Sequence, residues 1–493
     1  MAFLERNANS GSVSTGFNIG NSLKLESDNS EYLKAEGRPA GNQQTWTWSC
    51  WLKRTEVNNG VVAQYMFSAG SDGKLGLYFR DDSSSTGGDT IFIYVDEGNS
   101  LKWIGELRVS FRDTSAWYHI VFAVDSTDGT AADRTKIYVN GVQQTITFND
   151  TLNQNSNTRI GDSGGKLSIG AKMDGSYEFN GYMAEVVLVD GSQLTPTSFG
   201  EFDDDSGIWK PKDVSSLSLG NAGFYMNFDD SSNLGKVQTG TNQGNFDLNN
   251  ITSVDQATDT PTNNFCIFAG EQQAVPNGYT APSVKEGGTT MFGGNVSGAY
   301  STMGIRSGKW YFESTLLHSG GVGTENHGFG VIAANRLYDM NIAQEDIGAD
   351  VGGWACAGNA NPRNNNAGAS GANYLTSPAI NKVLGCAIDM DNGKIWWHNE
   401  GTWHSLNNTV GNPATGASPA WSNLLTATDD FVLPAGGLYQ TGSAIRVMNF
   451  GGYALPVFTA VGTYSDANGY GSFSYAPPSG YYAICTKNLA EFG

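Results

Sequence analysis

The last third of the sequence carries the aromatic and histidine residues with the best setting for binding a ligand. Trp354 and Trp403 stand in loop-like surroundings. Tyr374 lies in a stretch rich in Asn, Gly and Ala, and His404 follows Trp403 directly. Aromatic side chains combine a large apolar face with a polar edge, which suits contact with sugars. We therefore take Trp354, Tyr374, Trp403 and His404 as candidate ligand-binding residues, with ordinary structural roles as the alternative.

Carboxylates are the hard oxygen ligands that Ca²⁺ prefers, and the first half of the chain supplies many. Asp81, Asp174 and Asp203 are the candidate ligands for a calcium ion in the first domain. No stretch follows the pattern D-x-[DN]-x-[DN]-G with a distal Glu that marks the EF-hand loop. Calcium is therefore left open, and no other cofactor is expected. The five cysteines and five histidines are dispersed, which argues against zinc and against a disulfide framework.

Residues 161–165 spell GDSGG, the string around the nucleophile of chymotrypsin-like proteases. That chemistry needs a histidine base held by a buried carboxylate. The one histidine before this string is His119, which stands in the middle of a strand-like run. We interpret GDSGG as a glycine-rich loop and not as a protease site.

Glycoside hydrolysis needs two carboxyl groups about 5 to 10 Å apart across a cleft. Residues 201–205, EFDDD, begin like the Glu-x-Asp-x-(x)-Glu strand of sandwich glucanases, but no second Glu follows. A solvated acidic turn is the simpler interpretation. A glucanase or depolymerase that degrades polysaccharide is kept as the alternative function.

All these residues need strands to position them, and residues 117–141 show the strand pattern most clearly. Apolar residues alternate over the first run, and the second run ends on Asn140-Gly141, a pair suited to the two positive-φ positions of a tight hairpin turn. Residues 44–54 alternate Trp and Cys with Thr and Ser, which predicts a half-buried strand. A Thr-Pro pair within 194–199 predicts a short helix.

The order and spacing of several strings resemble the strands of laminin-G-like, concanavalin A-like jelly rolls. These strings are SLK at 22–24, WTWSCWL at 46–52, WYHIV at 117–121, IYVNG at 137–141, FNGY at 179–182 and AE at 184–185. The resemblance covers about 190 residues and implies a two-sheet antiparallel sandwich whose rim loops, in many relatives, bind glycans or calcium. Residues 201–264 look linker-like, with a strand at 224–228 that returns to the first sandwich.

A second resemblance begins near residue 289. The strings GKWYFE at 308–313, GFGVI at 328–332 and GCAIDMDNGKIWWHNEGTW at 385–403 resemble strands of SPRY domains, concanavalin-like sandwiches used for protein recognition. Trp396 and Trp397 are neighbours in one strand, so one of them is expected in the core. An Asn/Gly/Ala-rich insertion at 335–378 shows no periodicity. The tail is either a closing strand or a contact with a neighbouring subunit.

Composition limits the possible partners. Charged residues make up 15% of the 493, and 48 acidic against 28 basic residues give a net charge of −20. That charge repels nucleic acid and anionic membrane surfaces. No run approaches the ~20 apolar residues that span a bilayer, and the N-terminus has no basic start before an apolar stretch. We expect no nucleic acid partner, no membrane insertion and no secretory leader.

The sequence predicts an all-β protein with two concanavalin A-like (jelly-roll) antiparallel β-sandwiches in tandem. The expected divisions are an N-terminal arm at 1–20, a laminin-G-like sandwich at 21–264, a SPRY-like sandwich at 265–455 and a C-terminal strand or tail at 456–493. The modules also resemble those of virion proteins of marine tailed phages. That resemblance implies a non-enzymatic, extracellular particle component, such as a tail fibre, appendage or capsid decoration. Its expected partners are other virion proteins and host-surface glycans. A homo-oligomer, as in trimeric fibres, is also expected, although no heptad repeat specifies one.

Overall fold

The computed structural model describes residues 16–57, 63–70, 75–80, 88–97, 100–240, 244–269, 282–293, 297–317, 328–336, 347, 352–356, 362–364, 367–368, 380–404, 410–427, 431–438, 444–453, 455 and 462–493. The described chain divides into two compact units, residues 16–262 and 263–493, which we call the first and second sandwich. The expected division after residue 264 falls within a few residues of this one. The expected arm lies largely outside the described residues.

The first sandwich contains eighteen strands in its described part. Its first nine are β1 (Ser22–Leu25), β2 (Tyr32–Arg38), β3 (Thr45–Arg54), β4 (Ala63–Ala69), β5 (Leu75–Arg80), β6 (Thr90–Glu97), β7 (Ser100–Leu107), β8 (Tyr118–Asp125) and β9 (Thr135–Val139). The others are β10 (Val142–Gln143), β11 (Thr147–Phe148), β12 (Gly165–Ile169), β13 (Gly181–Asp190), β14 (Gly200–Phe202), β15 (Trp209–Pro211), β16 (Phe224–Met226), β17 (Asp247–Asn249) and β18 (Gln256–Ala257). Short 3₁₀ helices occupy Ser27–Asn29, Ala131–Asp133, Pro196–Ser198 and Ser253–Asp255.

These strands form two antiparallel sheets and a separate β14–β15 hairpin. One sheet has the order β10-β9-β8-β3-β13-β1-β18, with β16 also paired to β13, and the other has the order β11-β7-β6-β5-β4-β12-β2-β17. The main core lies between the two sheets. Trp48 of β3, for example, stacks on Phe67 of β4 with ring centroids 4.7 Å apart.

Residues 191–225, which we call the first cover, close the outer face of the β3–β8–β13 sheet. Phe199, Val214 and Leu219 pack there against Val121 and Val187 of the sheet. The prediction that β3 is half-buried is therefore wrong, since the side chains on both faces of residues 46–54 are buried. The linker-like interpretation of 201–264 is also wrong, because β14 to β18 belong to this sandwich. The predicted return strand at Phe224 is confirmed by its pairing with Leu188.

The predicted hairpin is present in full. Strands β8 and β9 pair antiparallel, and β9 turns tightly into β10 with Val139 opposite Val142. Asn140 and Gly141 have φ of 48° and 81°, as the turn requires. The predicted short helix after β13 is the 3₁₀ turn Pro196–Ser198.

The second sandwich contains fourteen strands and two short α-helices in its described part. The strands are β19 (Ser283–Lys285), β20 (Thr290–Phe292), β21 (Ser297–Tyr300), β22 (Lys309–Leu317), β23 (Phe329–Ala333), β24 (Gly353–Cys356), β25 (Pro362–Asn364), β26 (Ala367–Gly368), β27 (Val383–Asp389), β28 (Lys394–Asn399), β29 (Thr402–His404), β30 (Val432–Leu438), β31 (Ile445–Asn449) and β32 (Tyr482–Ala483). The helices are α1 (Leu424–Ala427) and α2 (Thr486–Phe492), and 3₁₀ turns lie at Ala334–Arg336 and Pro413–Thr415.

Its two sheets have the orders β19-β20-β31-β22-β27-β28-β29 and β21-β30-β23-β24-β25-β26. Phe312 of the first sheet meets Phe329 of the second edge-on in the core between them, at 5.9 Å. Strands β24 to β26 fall inside the 335–378 insertion, which is therefore not wholly irregular. The predicted all-β fold class is confirmed for the described chain.

Residues 462–485, which we call the second cover, close the outer face of the β22–β27–β28 sheet. Phe473 and Tyr481 pack there on Tyr311 and Trp396. Consequently Trp396 and Trp397 are both fully buried, one under the cover and one in the main core, where a single buried Trp was expected. The tail adds a closing strand, because β32 pairs in parallel with β22.

Within the described ranges, no helix has the length and apolar character needed to cross a bilayer.

Candidate functional site

Trp403 and His404 lie on β29, the edge strand of its sheet. Trp403 stands opposite His398 of β28 and meets its ring edge-on at 4.7 Å. On the outer side, His404 bridges to Val410, whose side chain is 76% exposed. Both candidates are only partly buried, and partial burial lowers the pKa of His404. The structure therefore brings these two predicted residues to one edge of the second sandwich.

Trp354 does not share this edge. It lies on β24, is fully buried in the core between the sheets, and its Nε1 donates to Asn423 Oδ1 at 2.9 Å. The expected surface position of Trp354 is wrong, because the loop-like residues around it form a short strand that points the indole inward. Tyr374 lies outside the described residues.

The two described calcium candidates are engaged in turns. Asp174 accepts hydrogen bonds from Ser176 and pairs with Lys172 at 3.1 Å. Asp203 accepts from the backbone and hydroxyl of Ser206 and pairs with Lys210 at 2.9 Å. Asp81 lies outside the described residues. Among the described residues, no group of three or more His, Cys, Asp or Glu side chains is placed to hold a metal ion.

The nearest arrangement to a nucleophile and base is a buried Ser49–His119 pair under the first cover. His119 Nε2 lies 2.8 Å from Ser49 Oγ, and its ring stacks on Trp51 with ring centroids 4.7 Å apart. Trp209 Nε1, which can only donate, hydrogen-bonds to His119 Nδ1 at 3.0 Å. Burial lowers the pKa of His119 to about 3 and keeps the ring neutral.

This tautomer decides what the pair can do. Because Nδ1 accepts from Trp209, the single ring proton is on Nε2, and Nε2 donates to Ser49. The imidazole therefore cannot take the Ser49 proton as a general base would. The expected strand position of His119 is confirmed, and its contacts link the sheet to the cover.

A second polar network lies under the second cover. His398 Nδ1 accepts from the Gly401 backbone, so Nε2 donates to Tyr311 Oη at 2.8 Å, and Tyr311 donates in turn to Glu313 Oε1 at 2.9 Å. The backbone N–H groups of Ser474 and Tyr475 also donate to the Glu313 carboxylate, at 2.9 and 2.8 Å. The network thus ties the cover to the sheet.

The acidic run 201–205 spans strand β14 and the turn toward β15. Asp203 closes that turn by accepting from Ser206, and the lysine of β15, Lys210, neutralises it. Glu201, Asp204 and Asp205 are exposed, as the solvated-turn interpretation predicts, whereas Asp203 is buried. Glu185 is a buried carboxyl group elsewhere in this sandwich. Burial raises the pKa of Glu185 to about 7, and its carboxyl group accepts a hydrogen bond from Tyr225 Oη at 2.7 Å.

The GDSGG loop lines a small cavity that sequence reasoning missed. Ser163 at its tip is exposed, while Gly161 and Gly165 border the cavity beside Arg38 and Arg159. His119, the one histidine before this loop in the sequence, is held by contacts of its own, since both its ring nitrogens are engaged with Ser49 and Trp209. The one sequence signal of the cavity was a pair of glycines flanked by basic residues.

Comparisons with known proteins give a family match within the first sandwich and likenesses to solved structures. Residues 27–197 match the Laminin_G_3 family, described as the Concanavalin A-like lectin/glucanases superfamily. No curated protein matches the chain in sequence. Among solved structures, the chain resembles the SPRY domain of human HERC1, with 14% identity, 33% of this chain and 89% of that chain covered, and a TM-score of 0.25. It also resembles a native heptameric SAP-like pentraxin from Limulus polyphemus, with 16% identity, 36% and 80% covered, and a TM-score of 0.26.

The family match runs from the turn after β1 to the 3₁₀ turn after β13, and so includes strands β2 to β13, which contribute to both sheets. The chain therefore contains a laminin-G-type, concanavalin A-like domain within its first sandwich.

Proposed function

We propose that this protein is a non-enzymatic recognition component of a bacteriophage particle that binds host-surface glycan through the rims of its sandwiches. The observation that supports a binding role is the match of residues 27–197 to a superfamily of lectins and glucanases. The particle location rests on the sequence resemblance to virion modules. The proposal also includes recognition of another virion protein.

The positions of the buried acids favour binding over hydrolysis. A glycosidase presents one protonated and one ionised carboxyl group to a cleft. The two described glutamates whose pKa burial raises to about 7, Glu185 and Glu313, belong to different sandwiches and are both internal. Each is bonded to a tyrosine hydroxyl within its own sandwich. Both carboxyl groups therefore have structural partners, and the described residues show no cleft that leads from either of them to a polysaccharide.

The edge formed by Trp403, His404 and Val410 is the candidate contact surface on the second sandwich. We expect the full-length protein to bind host cells or their isolated glycans on an array, and Trp403→Ala to weaken that binding about tenfold. Tyr464→Ala is the matched control, because Tyr464 is 43% exposed and is not in β29. Near-ultraviolet circular dichroism checks that both variants fold. The proposal fails if the protein binds neither host cells nor glycans and does not copurify with virions.

The alternative, a glucanase or depolymerase, has a direct test. Release of reducing ends from host polysaccharide, abolished by replacing one Glu or Asp, would overturn the non-enzymatic proposal. Calcium binding is tested by thermal unfolding in CaCl₂ and in EGTA, with Asp174→Asn and Asp203→Asn as variants. The proposed homo-oligomer is tested by sedimentation of the full chain.

A further inference from the structure

Arg38, the last residue of β2, is a buried cation without a carboxylate partner in the described chain. It is 8% exposed, and one of its terminal nitrogens donates to the Ala222 carbonyl at 3.2 Å. Its guanidinium lies over the rings of Phe224 and Phe246, at 4.9 and 5.2 Å. All these contacts are with neutral groups.

Three other buried cations of the same sandwich are paired with carboxylates, whereas Arg134, also 8% exposed, is held by the backbone carbonyls of Asp128, Gly129 and Leu152. Lys24 pairs with Glu31, Lys53 with Asp259 and Arg54 with Asp89, at 3.0, 2.8 and 2.9 Å. Such pairing is the usual condition for burying a charge. Burial alone lowers the pKa of Arg38 to about 10, which leaves it charged at neutral pH. Arg38 therefore holds a positive charge that no carboxylate of the described residues neutralises.

Arg38 lines the cavity beside the Gly161–Gly165 loop. Arg159 and Lys166 are the other basic residues of its lining, and Asp162 is the acidic one. Asp162 is already held by Gln43 at 2.8 Å and by Arg159 at 3.2 Å. On its exposed side, Lys166 pairs with Glu36 at 2.9 Å. The cavity is thus locally cationic in a chain whose net charge is −20.

The size of the cavity limits what can enter. Its volume is about 10 Å³, which is room for about one oxygen-sized group and not for a sugar ring. A Cβ on Gly165 would lie 2.8 Å from the Asp162 carbonyl oxygen, so the close course of the loop requires glycine there. Guanidinium groups form their strongest hydrogen bonds with ionised oxygens.

We propose that Arg38 and the Gly161–Gly165 loop form a pocket for one oxyanion group of an acidic glycan. A carboxylate, sulfate or phosphate oxygen enters the cavity beside Arg38, and the sugar ring stays outside at the rim. This inference rests on the proposed function and narrows its ligand to charged saccharides.

The test is isothermal titration of the full-length protein at low ionic strength with four sugars: glucuronate, glucose 6-sulfate, glucose 6-phosphate and neutral glucose. At least one charged sugar binds, glucose does not, and the preferred sugar identifies the oxyanion. Arg38→Met lowers that affinity at least tenfold. Arg108→Met, at a side chain 64% exposed on the same sandwich, leaves it unchanged. Absence of binding for all three charged sugars, unchanged affinity in Arg38→Met, or an equal loss in Arg108→Met overturns the proposal.

Asp162→Asn keeps the test decisive if Arg38→Met does not fold. Removing the one carboxylate of the lining strengthens binding of the charged sugar several-fold, and unchanged or weaker binding overturns the proposal.

Failure of the pocket and failure of the proposed function give different results. If host glycans on an array bind to the protein but none of the three charged sugars does, the oxyanion pocket fails and the proposed function stands. If charged sugars bind but no array or host glycan does, the pocket stands and the proposed function fails.

Discussion

Replacing Glu313 by Gln tests whether the network under the second cover is structural. The carboxylate accepts four hydrogen bonds: two at Oε1, from Tyr311 Oη and the Tyr475 N–H, and two at Oε2, from Asn449 Nδ2 and the Ser474 N–H. Glutamine keeps the shape but offers one acceptor and one donor. Whichever way the amide lies, its NH₂ group faces a backbone N–H of the cover.

The cost follows from the hydrogen bonds that are lost. Each hydrogen bond to a charged group contributes about 1.5–3 kcal/mol, and an unpaired buried donor costs about 1–3 kcal/mol. With the NH₂ group at Oε2 two such bonds are lost; with it at Oε1 the Tyr475 N–H loses its acceptor, and the Tyr311 hydroxyl loses its acceptor or must turn to accept from the amide. Removal of a buried charge offsets part of the loss. Reorientation of Asn449 gives no relief, because its amide also donates to Ser472 O and accepts from the Gly451 N–H. We expect Glu313→Gln to destabilise the second sandwich by about 3 kcal/mol.

The assay is urea unfolding of the full chain at pH 8, with hydrogen exchange of peptides from β22 and residues 462–485 to assign the transition. Glu400→Gln is the control, since the Glu400 side chain is 50% exposed and its pair with Lys382 is worth less than about 1 kcal/mol. If Glu313→Gln unfolds within 1 kcal/mol of the native protein, the argument from the four donors is refuted. If it folds normally but abolishes release of sugar from a host polysaccharide, Glu313 is a catalytic acid and the alternative function is correct.

Three further predictions concern single contacts. Burial raises the pKa of Glu185 from 4.5 to about 7. The protonated carboxyl group therefore contributes its full stabilisation below pH 4.5, and the free energy of unfolding falls by about 3 kcal/mol as the pH rises through 7. Glu185→Gln flattens this part of the pH profile in urea titrations. Gly141→Ala lowers the free energy of unfolding by about 2 kcal/mol, because its Cβ would meet the Trp209 ring at a φ of 81°. Gly129→Ala is the control, because no atom lies within 4 Å of its new Cβ, and it leaves the free energy of unfolding unchanged. Thermal unfolding compares the two variants. All five cysteines are buried, and burial raises the pKa of the Cys50 and Cys386 thiols. We therefore expect no reaction of the cysteines with Ellman's reagent until the protein unfolds. Rapid labelling of the native protein would contradict this.

Local patterns predicted the strands well, because alternation and turn residues act within a few positions of each other. The β8–β9 hairpin and the Asn140-Gly141 turn follow from neighbouring side chains alone. The two covers could not be predicted in this way. Trp209 lies in a stretch that looks like a linker, and its packing against His119 joins residues 90 positions apart.

The candidate site was predicted less completely for the same reason. Trp403 and His404 are found together because they are adjacent on one edge strand. Trp354 was misplaced, since its short strand has too few residues to show a period. Arg38 looks like an ordinary polar residue at a strand end. Its lack of a carboxylate partner among the described residues is a property of the folded chain, which no local pattern reveals.

The first and last strands of the first sandwich, β1 and β18, lie side by side, with Ser22 opposite Ala257. The entry and exit of this unit are therefore neighbours. The same is true of the second sandwich, where Phe265 bridges to Cys485. A unit whose ends meet can be spliced into a surface loop of another protein, or cut out of this one, without stretching either chain. Each sandwich can therefore be transferred as a unit, and we expect circular permutation at an exposed turn to preserve its fold.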